Sequence, residues 1–497
     1  MNELNLLPLP QHIEFGIGEV SLGVEPTISV PTIWIDLVRN STINFRVQPE
    51  SNANQVLVHL DPDLRDEEYI LVIDNILEIF ASTRNGLFYA LAALESFDLD
   101  HLPIVRIRDY PQFSWRGCHL DVSRHFFSVE TIFRYIKLLA EHRINKLHLH
   151  LNDDQGWRVE IPNWPLLTQV GAWRRSTPVG HEDDGVDGYE PHGGFYTKDD
   201  LVAIREYAAK HCIQIVPEID LPGHAQAVLA AYPQFGNTSE HFEVWNRWGV
   251  SDHVLNVSEE SLAFATEVVQ YVAEIFPGSP VHIGGDECPT SEWENSNEAQ
   301  EVMRSNGFTK WEQLQGLFTK RLAVALQNTG HEVIAWDEVL DSDVPAGVII
   351  EAWRSIEKGV EAAERGLQVI MAPMDYLYLD WLNSNEPNEP IAQNPAPESI
   401  SWEKVYSYQV IPDELIPATA ALIRGAQVEL WTEYIPHQDH LDYMSFPRIC
   451  AFSEVIWGTA SFDAEEFRPR LERHLLQHAT AGVNFRPLDS IRNGLKT

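Results

Sequence analysis

Two adjacent acids, Asp286 and Glu287, sit in the run VHIGGDECP at residues 281–289. A carboxyl that donates a proton and a carboxylate that faces developing positive charge are the working groups of glycoside hydrolysis. Other residues suited to such work follow short apolar runs along the chain. Asp121 lies at the end of RGCHLDV and Arg124 just past it, Asp153 and Asp154 stand in NDDQGW, and PEIDLPGH carries Glu218, Asp220 and His224. Trp336, Trp353 and Trp431 end three later runs, with Glu433 close behind the last, and DYLYLD contributes Tyr376, Tyr378 and Asp380. Carboxylates mixed with tryptophans point to a sugar site: apolar sugar faces stack on indoles, and hydroxyls need charged or bidentate partners. The adjacency is the puzzle. Glycosidic cleavage ordinarily uses two carboxylates about 5–9.5 Å apart, yet neighbours on a strand point to opposite sides. On a strand, Asp286 and Glu287 make a poor pair of that kind.

The elements that must position these residues recur in a strand–helix rhythm. RGCHLDV (116–122), NKLHLHL (145–151), IQIVPEI (213–219), VHIGG (281–285), HEVIAW (331–336), GVIIEAW (347–353), LQVIMA (367–372) and GAQVEL (425–430) are the candidate strands. Eight such units favour a closed (β/α)8 TIM barrel, an α/β fold whose chemistry sits at the C-terminal ends of its strands. Helices are expected from Ser128, a plausible N-cap, and over about 198–211. Ahead of the barrel, residues 1–108 read as a small α+β N-terminal domain, and 109–497 as the catalytic barrel. VLVHL (56–60), EYILVI (68–73) and ILEIFA (76–81) are β-rich, with a hairpin turn between the last two. TRNGLFYALAALESF (83–97) is an amphipathic helix, and RIRDYPQFSWRG is the join. NSNEPNEPIAQNPAPES (383–399) reads as a loop unsuited to a core.

Composition narrows the partners. Against 35 Lys and Arg stand 74 Asp and Glu, a formal charge of -39 over 497 residues, which argues against nucleic acid or an anionic membrane. No apolar run is long enough to span a bilayer. The opening residues show no basic region followed by an apolar core, so the expected location is the cytoplasm. Cys118, Cys212, Cys288 and Cys450 are scattered and read as free, mostly buried thiols.

The runs RGCHLDVSRHFF, NKLHLHLNDDQGWR, EIDLPGH and above all HIGGDE resemble the β-N-acetylhexosaminidases of glycoside hydrolase family 20. LPLPQ and TRNGLFYALAAL resemble that family's small N-terminal domain, so the likeness spans nearly the whole chain. It implies substrate-assisted catalysis, an exception to the two-carboxylate scheme, in which the sugar's own 2-acetamido oxygen attacks. By this resemblance Glu287 is the general acid and then base, Asp286 orients the acetamido group, and Tyr378 bonds its carbonyl oxygen. Arg124, Glu433 and Asp380 hold sugar hydroxyls; Trp336, Trp353 and Trp431 wall the pocket; Asp153 and His224 tune the acid. An exo-acting, retaining hydrolase of terminal N-acetylglucosamine or N-acetylgalactosamine follows, with a carbohydrate as partner and no cofactor. Chitin fragments are among its candidate substrates, and a homodimer is compatible. Cys118 and His119 in the first strand depart from the family's pattern.

Simpler readings stand beside these. His148 and His150 share a strand face and could be metal ligands, but no convincing further ligands follow, so structural satisfaction inside the barrel is expected and no metal site is assigned. Arg124 could merely pair with Asp121. Trp115, Trp164 and Trp173 read as core, Asp154 and Glu338 are as readily structural as functional, and Tyr376 is left outside the site. The rival functions are a two-carboxylate retaining glycosidase pairing Glu287 with Glu351 or Glu433, a non-catalytic sugar-binding barrel, and a metal-dependent amidohydrolase.

Overall fold

The computed structural model describes residues 6–48, 55–181, 190–393 and 399–489. Among them, eight parallel strands close into a barrel in which sequence neighbours are spatial neighbours: Trp115–Asp121, Lys146–His150, Gln214–Glu218, Val281–His282, Val333–Trp336, Val348–Ala352, Val369–Met371 and Ile423–Val428. All eight runs read from the sequence form these strands.

The strands alternate, though not between core and solvent. In Lys146–His150, Leu147 and Leu149 point outward into the large core shared with the surrounding helices, while His148 and His150 occupy the barrel interior. The interior is graded. Trp115, Val216, Ile334, Ile349 and Ile370 form an apolar plug at the N-terminal end. Above it lie buried polar groups, including His119, His148, His282, Glu351, Gln427 and Glu429. The register sets Asp121 beside His150, His150 beside Glu218, and Glu218 beside His282. An apolar-outside, polar-inside strand is therefore compatible with full burial because the polar face meets complementary polar faces.

The helices start where local chemistry supplies caps. Ser128 Oγ accepts from the Thr131 N–H at the head of Val129–Glu141, and Thr197 and Asp200 form a reciprocal capping box before Lys198–Lys210. Their apolar faces cover the strands' outer rows, which is what holds the barrel shut.

The N-terminal region is a seven-stranded mixed sheet with its own core. Tyr69–Ile73 and Leu77–Ala81 pair antiparallel across a short turn, and helix Arg84–Glu95 packs against them, with the Thr83 side chain accepting the Gly86 N–H as its N-cap. The join holds a correction: RIRD is not connecting chain but part of strand Leu102–Asp109, paired with His12–Val20 on one side and Tyr69–Ile73 on the other. The alternation Val105, Ile107, Asp109 buried, Arg106 and Arg108 exposed is that of a strand with one wet face. Trp173 is also corrected; it is 52% exposed, while Trp115 is buried and Trp164 half-buried.

Two contacts lock this region to the barrel. Trp457 enters the N-terminal core and donates its indole N–H to Asp109 Oδ1 at 2.8 Å. Arg116, on the first barrel strand, reaches out to Glu67 with Nη1 at 3.0 Å and Nη2 at 2.6 Å, and donates further to Arg143 O, Phe113 O and the Tyr89 hydroxyl oxygen. Burial by itself would raise the Glu67 carboxyl, but the Arg116 charge and hydrogen bonds outweigh it and hold the group below its ordinary range. A carboxyl depressed in this way adds stability above its unfolded pKa, which is lost as pH falls through the folded value. Arg116→Met should therefore lower unfolding free energy by about 3–5 kcal/mol at neutral pH, and the gap to wild type should close in acid. Urea denaturation across pH checks this; a gap that widens in acid sinks it.

Candidate active site

The fourth barrel strand stops at His282, and the chain then turns. Gly284 has φ +63° and Gly285 φ +92°, left-handed values natural to glycine, and Glu287 follows at φ +39°. At Gly284 a Cβ would fall inside the Asp220 carboxyl group. Asp220 Oδ1 accepts the Gly285 N–H at 2.8 Å, His282 Nδ1 accepts the Gly284 N–H at 3.0 Å, and Gln315 Nε2 donates to Gly285 O at 2.5 Å. Strand alternation thus does not govern the acid pair, because the pair is past the strand. Asp286 and Glu287 face the same cavity.

That cavity, about 370 Å³, opens at the C-terminal rim. Arg124, His224, Asp286 and Glu287 line one part of it; Tyr378, Asp380 and Glu433 line another; Trp336, Trp353 and Trp431 wall it. Each wall is braced. Trp336 Nε1 donates to Glu218 Oε1 at 2.9 Å and Trp353 Nε1 to Glu338 Oε2 at 2.9 Å, which gives Glu338 a supporting role. Trp353 and Tyr378 stack with ring centroids 6.0 Å apart, and the Arg124 guanidinium lies 5.0 Å from the Trp431 ring centroid. Asp154 is a structural brace that accepts the backbone N–H groups of Gln226 and Ser251. Tyr376 packs against Tyr408 and does not line the cavity.

Asp153, counted with the substrate-binding residues and expected to tune the acid, acts from behind the cavity wall. It is fully buried and does not line the cavity. Both its oxygens are consumed: Oδ1 by His224 Nδ1 at 3.1 Å and by the Asp154 N–H, Oδ2 by His150 Nε2 at 2.9 Å and Arg124 Nη2 at 2.8 Å. It holds the residues that can touch a ligand. Arg124 also contacts Asp121 at 3.3 Å, so it has both the structural partner and the cavity exposure. Sequence reasoning missed Met374, Trp381 and Gln393 on the cavity lining. Trp381 directly follows DYLYLD and could have been read with it. Gln393 lies in the Pro/Asn-rich stretch set aside as loop, of which residues 394–398 fall outside the described residues.

The electrostatics separate the two acids. His224 Nε2 stands 3.6 Å from Asp286 Oδ2 and 3.7 Å from Glu287 Oε2. Burial opposes charge on the imidazole, but Asp153 and Asp286 outweigh it and push His224 well above its ordinary value. Burial would likewise raise Asp286; the His224 charge and hydrogen bonding reverse this and leave it lowered. Glu287 is raised, first by desolvation and then by the Asp286 charge, with His224 opposing. A carboxyl raised at Glu287 beside one lowered at Asp286 sets an acid and an electrostatic partner in one corner. Both Asp380 oxygens and Glu433 Oε2 are buried without a hydrogen-bond partner among the described residues. Buried acceptors aimed into a cavity are what a polyhydroxylated ligand satisfies.

His148 and His150 both lie against one buried carboxylate: His150 Nδ1 is 2.5 Å and His148 Nε2 3.2 Å from Glu218 Oε2. Glu351 is sealed in the barrel interior, where Gln427 donates to it. Cys118 and Cys450 are buried and Cys212 and Cys288 half-buried, all as free thiols.

Residues 113–460 match the model of the glycosyl hydrolase family 20 catalytic domain. A beta-hexosaminidase of Porphyromonas gingivalis is 34% identical over 97% of the chain, which spans 64% of that protein's length. A beta-hexosaminidase of Vibrio furnissii is 33% identical over 90% of the chain and 76% of its own length. The crystal structure of an exo beta-N-acetylglucosaminidase of the same family from Vibrio harveyi, in complex with N-acetylglucosamine, superimposes with a TM-score of 0.85 at 29% identity, covering 97% of this chain and 78% of that one. With its closed barrel, its HIGGDE turn and a cavity that gathers the acid pair with three tryptophans, the chain belongs to glycoside hydrolase family 20.

Proposed function

We propose that this protein is a retaining exo-β-N-acetylhexosaminidase that removes terminal N-acetylglucosamine or N-acetylgalactosamine with help from the substrate's own acetamido group. The observation that carries the reading is that Asp286 and Glu287 share one corner of a walled cavity, with His224 within reach of both, while their carboxyls are shifted in opposite directions. Glu287 protonates the glycosidic oxygen as its bond to C1 breaks, and the acetamido carbonyl oxygen closes on C1. Asp286 faces the acetamido nitrogen, where positive charge grows, and Tyr378 steadies the carbonyl oxygen. Water then opens the bicyclic intermediate, passing its proton to Glu287. A nucleophile tethered to the substrate needs no second carboxylate. The unpartnered Asp380 and Glu433 oxygens suit sugar hydroxyls. The bound N-acetylglucosamine in the Vibrio harveyi relative supports the same ligand class.

The two-carboxylate rival loses its candidates on placement. Glu351 lies in the sealed interior, and Glu433 lines the cavity with an unpartnered Oε2 that suits a sugar hydroxyl.

Three outcomes are expected. An aryl N-acetylglucosaminide should turn over at least about a thousandfold faster than the aryl glucoside; comparable rates would refute acetamido participation. Glu287→Gln should slow substrates with poor leaving groups by about 10²–10⁴-fold and activated aryl substrates much less, as read from kcat across a leaving-group series. The pH profile of kcat/KM should be a bell. Its acid limb is protonation of Asp286 and its alkaline limb deprotonation of Glu287. Removing the His224 charge lifts both carboxyls, so His224→Gln should move the whole bell to higher pH; a shift to lower pH contradicts the assignment.

A further inference from the structure

Away from the cavity, three histidines meet where the C-terminal helix packs on the barrel's helices. His474 and His478 lie one turn apart on Ala464–Thr480, on the same face. His142 terminates Val129–Glu141. Each of the three offers a ring nitrogen within 4.8 Å of the other two. His142 Nε2 stands 3.0 Å from His474 Nε2 and 3.4 Å from Cys450 Sγ, on helix Arg448–Trp457.

The tautomer of His142 is fixed. Its Nδ1 is 2.7 Å from Leu138 O, and a carbonyl can only accept, so Nδ1 carries the hydrogen and Nε2 turns its lone pair toward the cluster. An imidazole tied to the backbone through one nitrogen and free at the other is prepared as a metal ligand. His478 adds an independent sign. It is 3% exposed, and neither ring nitrogen has a hydrogen-bond partner among the described residues. A plain hydrogen bond between His142 and His474 leaves His478 unexplained. Phe446 packs against the rings of both His142 and His478, with centroids 5.1 Å and 4.7 Å away, an apolar collar that excludes water. Burial pushes His142 down to about 4 and His478 to about 3, and burial with its two histidine neighbours lowers His474 too. All three are neutral at physiological pH.

We propose that His142, His474 and His478, with Cys450 as fourth ligand, form a zinc site that fastens the C-terminal helix to the barrel. Tetrahedral zinc with bonds of about 2.0–2.1 Å to nitrogen and 2.3 Å to sulfur sets ligand nitrogens about 3.3 Å apart, and nitrogen and sulfur about 3.6 Å apart. The observed 3.0 Å from His142 to His474 and 3.4 Å from His142 to Cys450 need adjustments of a few tenths of an ångström, and His478, with a ring nitrogen within 4.8 Å of the other two histidines, closes inward on binding. The donor set of imidazoles and one thiol suits zinc over calcium or magnesium. Binding breaks the Cys450 S–H bond, forms a zinc–sulfur bond and releases one proton to solvent; the neutral imidazoles release none. None of the four residues lines the cavity, so the site is structural.

The full chain, stripped by a chelator, is titrated with Zn²⁺ by calorimetry in buffers of different ionisation enthalpy, and with Co²⁺ by visible absorption. One tight equivalent, one proton released, a raised Tm, and a tetrahedral cobalt spectrum with a thiolate charge-transfer band are expected. His474→Gln, at a half-buried position that tolerates change, should weaken zinc binding at least about tenfold while aryl-glycosidase activity of the metal-free protein stays unchanged. His478→Gln should do the same to binding, and Cys450→Ser should abolish the charge-transfer band. The proposal is overturned if no tight zinc binds, if both histidine variants bind it as wild type does, or if the charge-transfer band survives in Cys450→Ser.

Discussion

A chain of alternating charge, running from the barrel interior to the rim, is the interaction on which the site depends. Glu218 contacts His150, His150 contacts Asp153, Asp153 contacts His224, and His224 sits between Asp286 and Glu287. Burial opposes every charge in it, yet each link is pushed toward ionisation by its neighbours: Glu218 and Asp153 are held low, His150 and His224 high. Buried charges survive only in such mutual company. Glu287, at the end of the chain, is the member shifted the other way, raised by desolvation and by the charge of the adjacent Asp286.

The same chain ties chemistry to shape. Glu218 accepts from Trp336 as well as facing His150, so one fully buried carboxylate braces a cavity wall and anchors the charge relay together. Arg124 does likewise, joining Asp121, Gln155 and Asp153 while its guanidinium lies against Trp431. Groups with two such duties give a cavity whose walls and charges move together or not at all, which favours a preorganised site over one assembled on binding.

Backbone geometry carries the rest. His224 and Glu287 both adopt positive φ without being glycine, conformations that persist when surrounding contacts over-determine them. At Glu287 those contacts are the Gly284–Gly285 turn held by Asp220 and Gln315. The apolar plug at the other end of the barrel supplies the packed base against which a polar upper interior can be ordered.

The sequence by itself determined the barrel, because eight runs of apolar residues with helices between them have few other ways to be buried, and it determined the reaction class, because HIGGDE and its companion runs carry the acid pair and its supports as contiguous letters. Most of the cavity lining was legible for the same reason: its members sit just past strand ends. What it could not reveal was depth. Asp153 and Arg124 both follow strand ends, yet one is sealed and the other lines the cavity, and the difference lies in which partners, from distant segments, fill each side chain's hydrogen-bonding capacity. The orientation of Asp286 relative to Glu287 was likewise decided by a turn that ends the strand early. The meeting of His142 with His474 and His478 joins residues more than three hundred positions apart, a proximity that only helix packing creates.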